Sequence, residues 1–437
     1  MQLKRSLRIG DLFLLIVGTV IGSGIFLVPG AVLRQVNGDA KLAIGVWIAG
    51  GVLSLMGALT YGELAAAEPN AGGLYFYIRQ AFGPMSAFIY GWTLFLLIGT
   101  GSVATLSVAF SGYFAQFVDL SPLAVKSIAV ALIAVVAAVN VRGTRQGADL
   151  QNWTTATKCL AIVVMGGALL FAGHTPGVVS SMPMVTGSLA ARFGTAMIAV
   201  LWAYEGWQYC SFSAGEAINP QRTFPRAFLW GALALIAIYL VANAGYLAAL
   251  GPSRAASTDT IAMTAVTGAF GSNVAKFVGL AILISIFSAA NGLTLTTPRA
   301  YFAMANDGLF FKKLAEISPR YGTPVFAIVA SSVWASFLAF TGTFEQLFTY
   351  VVFTGWIFYG LAAAAVFVYR RKHPDLARPY RVPGYPWTPA IFVIAAFALV
   401  VNTIVMQPSR GLAAVALVLL GIPAYGIWRR VAARQQT

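Results

Sequence analysis

Charge is scarce in this sequence. Asp, Glu, Lys and Arg make up only 9% of its 437 residues, where a soluble domain carries about 25%. Histidine and cysteine are rarer still, with two of each. His174 and His373 fall in connections between apolar runs, so neither a metal cluster nor a Cys/His nucleophilic pair can be assembled. Cys159 and Cys210 lie in different apolar segments, and no structural disulfide is expected between them. With no nucleophile and base set, no cofactor motif and no ring of charges suited to a pore, neither an intramembrane enzyme nor an ion channel is indicated.

What the chain has is apolar length. Apolar residues are 59% of the total and the mean hydropathy is +0.79, the composition of an integral membrane protein. A spanning helix takes about 20 residues, and the pattern predicts twelve spans, at 10–33, 42–66, 84–115, 123–141, 151–172, 194–214, 227–250, 274–304, 324–341, 346–369, 388–406 and 411–428. The first is not read as a secretory signal, because its apolar run continues through Phe26, Leu27 and Pro29 without a small-residue cleavage pattern. No soluble domain is inserted, and the Pro-rich basic stretch at 370–386 reads as a surface anchor of topology.

The net charge of +15 invites a nucleic-acid reading, but its distribution argues otherwise. With the first residue placed inside, the connections on that side carry 20 Lys or Arg, from Lys4, Arg5 and Arg8 to Arg429, Arg430 and Arg434, and the opposite side seven. That asymmetry is the positive-inside pattern, with attraction to anionic lipid and no polynucleotide partner. Both termini are expected to be cytoplasmic.

Two apolar segments break midway, the first at Gly22-Ser23-Gly24 and the sixth at Glu205-Gly206. Unwound backbone at membrane depth survives only where protein covers it or a cavity adjoins it, and paired breaks in corresponding positions of two halves mark the binding site of inverted-repeat transporters. Past the first break the amides of Ser23, Gly24 and Ile25 open a half-helix, whose positive end suits a carboxylate. Before it, the carbonyls of Val20 and Ile21 are free for an ammonium, joined by those of Trp202, Ala203 and Tyr204 at the second break. Together these are the two ends of an α-amino acid.

Only two charges lie deep. Lys158 follows Asp149 by nine residues, about 13 Å along a helix, and at that depth it either joins carbonyls such as that of Gly22 to the hydroxyls of Ser285 and Ser288 or snorkels to the interface. Glu205, at the second break, is a counter-ion for a cationic side chain, a proton carrier, or an acceptor for amides of the unwound turn. Among the many rings, Trp202 stands out as one turn before that break. Glu216 with Asn219-Pro220, and Arg299 with Asp307, read as loop punctuation and surface charge pairs that would steady a closed inner side.

Four stretches, IVGTVIGSGIFLVPGAVL, LTYGELAAAEPNAGGLYFYIRQAFG, LWAYEGWQYCSFSAGEAINPQRTFPRA and FSAANGLTLTTPRAYFAMANDG, resemble the amino acid–polyamine–organocation superfamily and, within it, the L-amino-acid transporter branch. The resemblance runs from about Gly10 to Arg371. It implies an all-α membrane protein of the leucine-transporter fold, with inverted five-helix repeats at 1–172 and 190–371, two further helices at 387–430, and sodium-independent transport, commonly by obligatory exchange. By position it assigns Ser23 and Gly24 to the substrate carboxylate and carbonyls near Ile21 and at Trp202, Ala203 and Tyr204 to the amine. It makes Trp202 an aromatic gate and puts Ser102, Gln208 and Tyr209 at the pocket. Lys158 matches a fifth-helix lysine standing where sodium-coupled relatives hold the ion.

Two departures qualify the resemblance. Animal light chains of this branch attach a glycoprotein heavy chain through a cysteine between the third and fourth helices, and 119–122 here has none. Both ends are also short, so a stand-alone bacterial relative in the inner membrane is expected. Glu205 stands where many neutral-substrate members carry a small residue and some cationic-substrate members an acidic one. The expected function is therefore exchange of small or medium neutral L-amino acids, with a proton-coupled or cationic carrier as the alternative.

Overall fold

The computed structural model describes residues 5–173 and 184–434, with side chains through 430; Lys4 and His174 lie outside the described residues. Helices α1 (Ile9–Val20) and α2 (Gly24–Gln35) make one crossing, bent by 45° at the Gly-Ser-Gly break. The next four crossings are α3 (Ala40–Ala67), then, after the short α4 (Leu74–Phe82), the pair α5 (Pro84–Thr93) and α6 (Gly99–Phe114) joined by a π-helical turn, then α7 (Pro122–Arg142) and α8 (Thr144–Ala172). The sixth is α9 (Leu189–Ala203) continued by a 3₁₀ stretch, Trp207–Glu216. Four crossings lie between it and the first, so it runs the opposite way.

Beyond it come α10 (Pro220–Ala256), the short α11 (Ile261–Phe270), α12 (Ser272–Thr296) continued by α13 (Pro298–Asn306), α14 (Val325–Thr341), α15 (Phe344–Lys372), α16 (Trp387–Met406), and the pair α17 (Pro408–Leu419) and α18 (Gly421–Arg434). Among the described residues nine helical stretches are long and apolar enough to cross a membrane, ten when α1 and α2 count as one span. The other two expected spans are α14, apolar over 17 residues, and α9, which reaches only 15 residues because the second break cuts it. The described residues form no strand; Leu7 and Ala217 make an isolated bridge.

Both breaks have local causes. Ile21 turns to extended backbone (ψ 94°) and α2 restarts at Gly24. At the second, Gly206 adopts φ +130°, a conformation open to glycine and costly for other residues. The half-helices α2 and α9 then touch at close range: a Cβ on Gly24 would lie 2.6 Å from Ala203 Cα, so only glycine lets α2 meet α9 there.

Candidate functional site: the cavity between the two breaks

The two breaks meet at a cavity of about 20 Å³ near the middle of the bundle, room for about one water. On the α1–α2 side it is lined by Thr19, Val20, Gly22, Ser23 and Gly24, and on the α9 side by Trp202, Glu205, Gly206 and Tyr209. Ser102 and Leu106 of α6 and Leu293 of α12 complete it. Of the expected pocket residues, Ile21, Ile25, Ala203, Tyr204 and Gln208 are buried nearby without lining it.

Ser23 is the most telling residue of the lining. Its hydroxyl is buried and has no partner among the described residues, beside the start of α2, where the amides of Gly24 and Ile25 have no acceptor within their own helix by position. An unpaired buried donor costs free energy until something accepts from it. A carboxylate has the charge and the oxygens to do so.

The carbonyls expected to take an ammonium are partly engaged elsewhere. Tyr239 of α10 donates to Ala203 O at 2.7 Å and lies 3.3 Å from Val20 O, so one phenol ties the first break to the second. Thr19 adds a second tie through its hydroxyl, 3.1 Å from Gly206 O. Ile21 O accepts from Lys158 and from Ser285 Oγ, the latter at 3.2 Å. Because each carbonyl has two lone pairs, the carbonyl of Val20 at the cavity wall can still take another donor.

Lys158 is buried on α8 and does not snorkel. Its ammonium donates to Gly18 O at 2.6 Å, to Ile21 O, and to the backbone carbonyl of Ser285 at 3.3 Å. Gly22 O, expected as a lysine partner, instead accepts from Ser285 Oγ at 3.2 Å. Ser288 also differs from expectation: it bonds Thr154 of α8 at 2.9 Å and approaches Thr155, and makes no hydrogen bond to the lysine. The reason is helical geometry, since Ser285 and Ser288 are almost a turn apart and only one sits at the depth of the break.

Glu205 is held by three donors on one oxygen. Gln208 Nε2 at 2.6 Å, Tyr209 OH at 3.0 Å and Tyr359 OH of α15 all reach Oε1. Among the described residues no donor reaches Oε2. Ser102 is 3.5 Å from Tyr209 OH and bonds its own helix at Ile98 O, 2.7 Å. Sequence reasoning missed Tyr359, Tyr239 and Thr19. A tyrosine deep in a span is the one available signal, and in an aromatic-rich chain it is a weak one.

Trp202 closes the cavity toward the face where α2 ends, packed at 6.2 and 5.9 Å on Phe344 and Phe348. Above this lid lies an open vestibule of about 530 Å³, with the Arg34–Asp259 ion pair (2.7 Å) and Glu345 at its walls. The face bearing the N-terminal segment is sealed. Asp11 binds Arg145 (3.1 Å) there, Glu63 binds Arg370 (2.7 Å) and the amide of Val382, and Glu216 binds Arg299 (2.9 Å). The expected pairing of Arg299 with Asp307 is not made; Asp307 pairs with Arg79 (3.2 Å) and Tyr75 instead.

The model of the family described as "Amino acid permease" matches residues 9–422. The chain belongs to that family. Its relatives include the serine/threonine exchanger SteT of Bacillus subtilis, 31% identical over 97% of this chain and 96% of that protein. The human cystine/glutamate transporter is 31% identical over 97% of this chain and 85% of its own length. The human b(0,+)-type amino acid transporter 1 is 32% identical over 93% and 84%. This permease is thus a multi-pass membrane transporter of amino acids and not an enzyme. Its two cysteines are free thiols.

Proposed function

We propose that the chain is a sodium-independent exchanger of small neutral L-amino acids, working by alternating access in the bacterial inner membrane without a heavy chain. The unpartnered Ser23 hydroxyl beside the first amides of α2 carries this reading. It is a carboxylate site in a cavity that has to widen even for a small substrate. Ser23 and Gly24 take the carboxylate; the carbonyl of Val20 and the unwound turn at Tyr204 and Glu205 take the ammonium. Lys158 supplies a fixed positive charge against the break, and a metal cation placed beside it would be repelled. The opposite sense of the first and sixth crossings supports repeats at 1–172 and 190–371, and the basic N-terminal face supports cytoplasmic termini.

Counterflow in proteoliposomes tests the proposal. Preloading with unlabelled serine or alanine is expected to accelerate uptake of the labelled amino acid by at least about tenfold, since an empty carrier that lacks the substrate's differential binding reorients slowly. Equal uptake with and without preloading, or accumulation driven by an imposed pH gradient, would instead support proton coupling.

A cationic substrate is the second reading, and it is favoured by Glu205, which lines the cavity and whose Oε2 has no donor among the described residues. Glu205→Gln separates the two. Because Oε1 already accepts three bonds, the substitution is expected to lower kcat/KM for alanine, serine and lysine together by about tenfold, the worth of charge assistance on such bonds. A loss confined to lysine and arginine would transfer the assignment to cationic amino acids.

A further inference from the structure

Glu216 joins four elements on the sealed face. Its carboxylate accepts from Arg299 at the start of α13, with Nε at 2.9 Å and Nη2 at 3.3 Å, and from Thr144 at the start of α8, 2.8 Å away. Thr144 in turn accepts from Arg299 Nη2 at 2.8 Å. The backbone carbonyl of Glu216 accepts the amides of Ser6 and Leu7 at 2.8 and 3.0 Å, and Ile218 N returns a bond of 2.8 Å to Leu7 O. The residue ends the 3₁₀ stretch, so the inner half of the second broken crossing is fastened at this point to the N-terminal segment, α8 and α13.

Burial sets this pair apart from the other ion pairs of the same face. The side chains of Arg299 and Glu216 are 0% and 1% exposed, whereas Arg145 in the Asp11 pair is 47% exposed; of the two arginines on Glu63, Arg370 is 22% exposed and Arg378, at the longer distance of 3.8 Å, 8%. Attraction between buried charges is largely offset by their desolvation, and here Arg299 Nη1 is also buried without a partner among the described residues. Such a pair closes a door without locking it. When the elements separate, water solvates both ions and the orphaned nitrogen, and much of what the contact contributed is recovered. With one partner removed, the closed state alone keeps an uncompensated buried charge.

We propose that Glu216 and Arg299 are the positioning residues that set the balance between the state sealed on the N-terminal face and the state open to it. Through that balance they determine how tightly reorientation is tied to substrate. The inference rests on alternating access as proposed above, but its first test needs no substrate, so the two can fail separately.

Cys210 is a built-in reporter. It lies on the same 3₁₀ stretch, buried, with its thiol 3.8 Å from Leu12 O, six residues before Glu216, which is about 12 Å at 3₁₀ rise. In a Cys159→Ser background, a membrane-impermeant methanethiosulfonate is applied to the N-terminal face of reconstituted protein. Glu216→Gln and Arg299→Gln, each alone, are expected to raise the rate of Cys210 modification by about tenfold or more, as a stranded charge disfavours the sealed state. The double substitution, which strands no charge, is expected to return to within about threefold of the parent, a coupling that independent sites do not show. In transport, each single variant should raise KM from the vestibule face and speed uptake into empty vesicles relative to preloaded ones, and the double variant should restore both. Should a glutamine variant fail to fold, Arg299→Lys keeps the charge, and an intermediate rate is expected of it. Single variants that label like the parent, or a double variant no closer to it than the singles, would overturn the proposal.

Discussion

Gly24→Ala is expected to reduce exchange about a hundredfold while leaving the protein inserted and folded. The added Cβ would stand 2.6 Å from Ala203 Cα and 2.7 Å from its Cβ, against a comfortable separation of about 3.5–4.0 Å. The first obstacle is backbone, so no rotamer change relieves it, and α2 must back away from α9. Overpacking of this kind costs about 1–3 kcal/mol, and the upper part of that range, borne by the arrangement in which both breaks meet the substrate, is the hundredfold. Gly206→Ala should be at least as severe, since it combines φ +130° with a Cβ 2.8 Å from the Thr19 carbonyl. Gly167→Ala is the control. It sits in α8 with nothing within 4 Å of the new atom, gains up to about 1 kcal/mol of helix propensity, and should transport normally. Exchange rates in proteoliposomes, normalised to monodisperse protein, decide it; near-parental transport by Gly24→Ala would show that the two half-helices need not touch.

Lys158→Ala is expected to have the largest effect of any single side-chain removal. Three carbonyls, those of Gly18, Ile21 and Ser285, lose a charged donor at the point where α1 unwinds. Bonds to charged groups are worth about 1.5–3 kcal/mol each, so even partial loss in one conformation shifts the working cycle by at least about a hundredfold. Two measurements accompany it. Replacing sodium by choline should leave the parent's uptake within about twofold, as expected where a fixed ammonium repels a second cation at short range. Substrate affinity of Lys158→Ala should fall less than turnover, because the lysine touches the carbonyls behind the cavity and is absent from its wall. Sodium-dependent uptake by the parent, or normal turnover by the variant, would remove the lysine from the mechanism.

The backbone events were legible in advance because their causes are adjacent residues. Gly22, Ser23 and Gly24 cannot continue a helix comfortably in an apolar run, and Glu205-Gly206 announces a second interruption. The depth of Lys158 follows from counting along one helix, and the crossing sense from counting spans. Of the residues expected at a pocket, Val20, Ser23, Gly24, Ser102, Trp202, Glu205 and Tyr209 line one cavity, because each lies beside a break or faces one along its own helix.

Partners drawn from distant elements were not legible. Tyr239 takes the Ala203 carbonyl across 36 residues and Tyr359 reaches Glu205 across 154. Arg299 chooses Glu216, 83 residues earlier, over Asp307 in its own connection. A sequence lists donors and acceptors, but whether two of them meet depends on interhelical distance and rotation, set by packing over the whole bundle. The sequence by itself thus determined a membrane bundle with two broken crossings, its charge asymmetry and its one deep lysine, since hydrophobic length and local backbone demands are short-range properties. Only the tertiary structure decided which carbonyls remain for a substrate, which face is sealed, and which acid holds Arg299, because a buried polar group takes the partner that packing brings within about 3 Å.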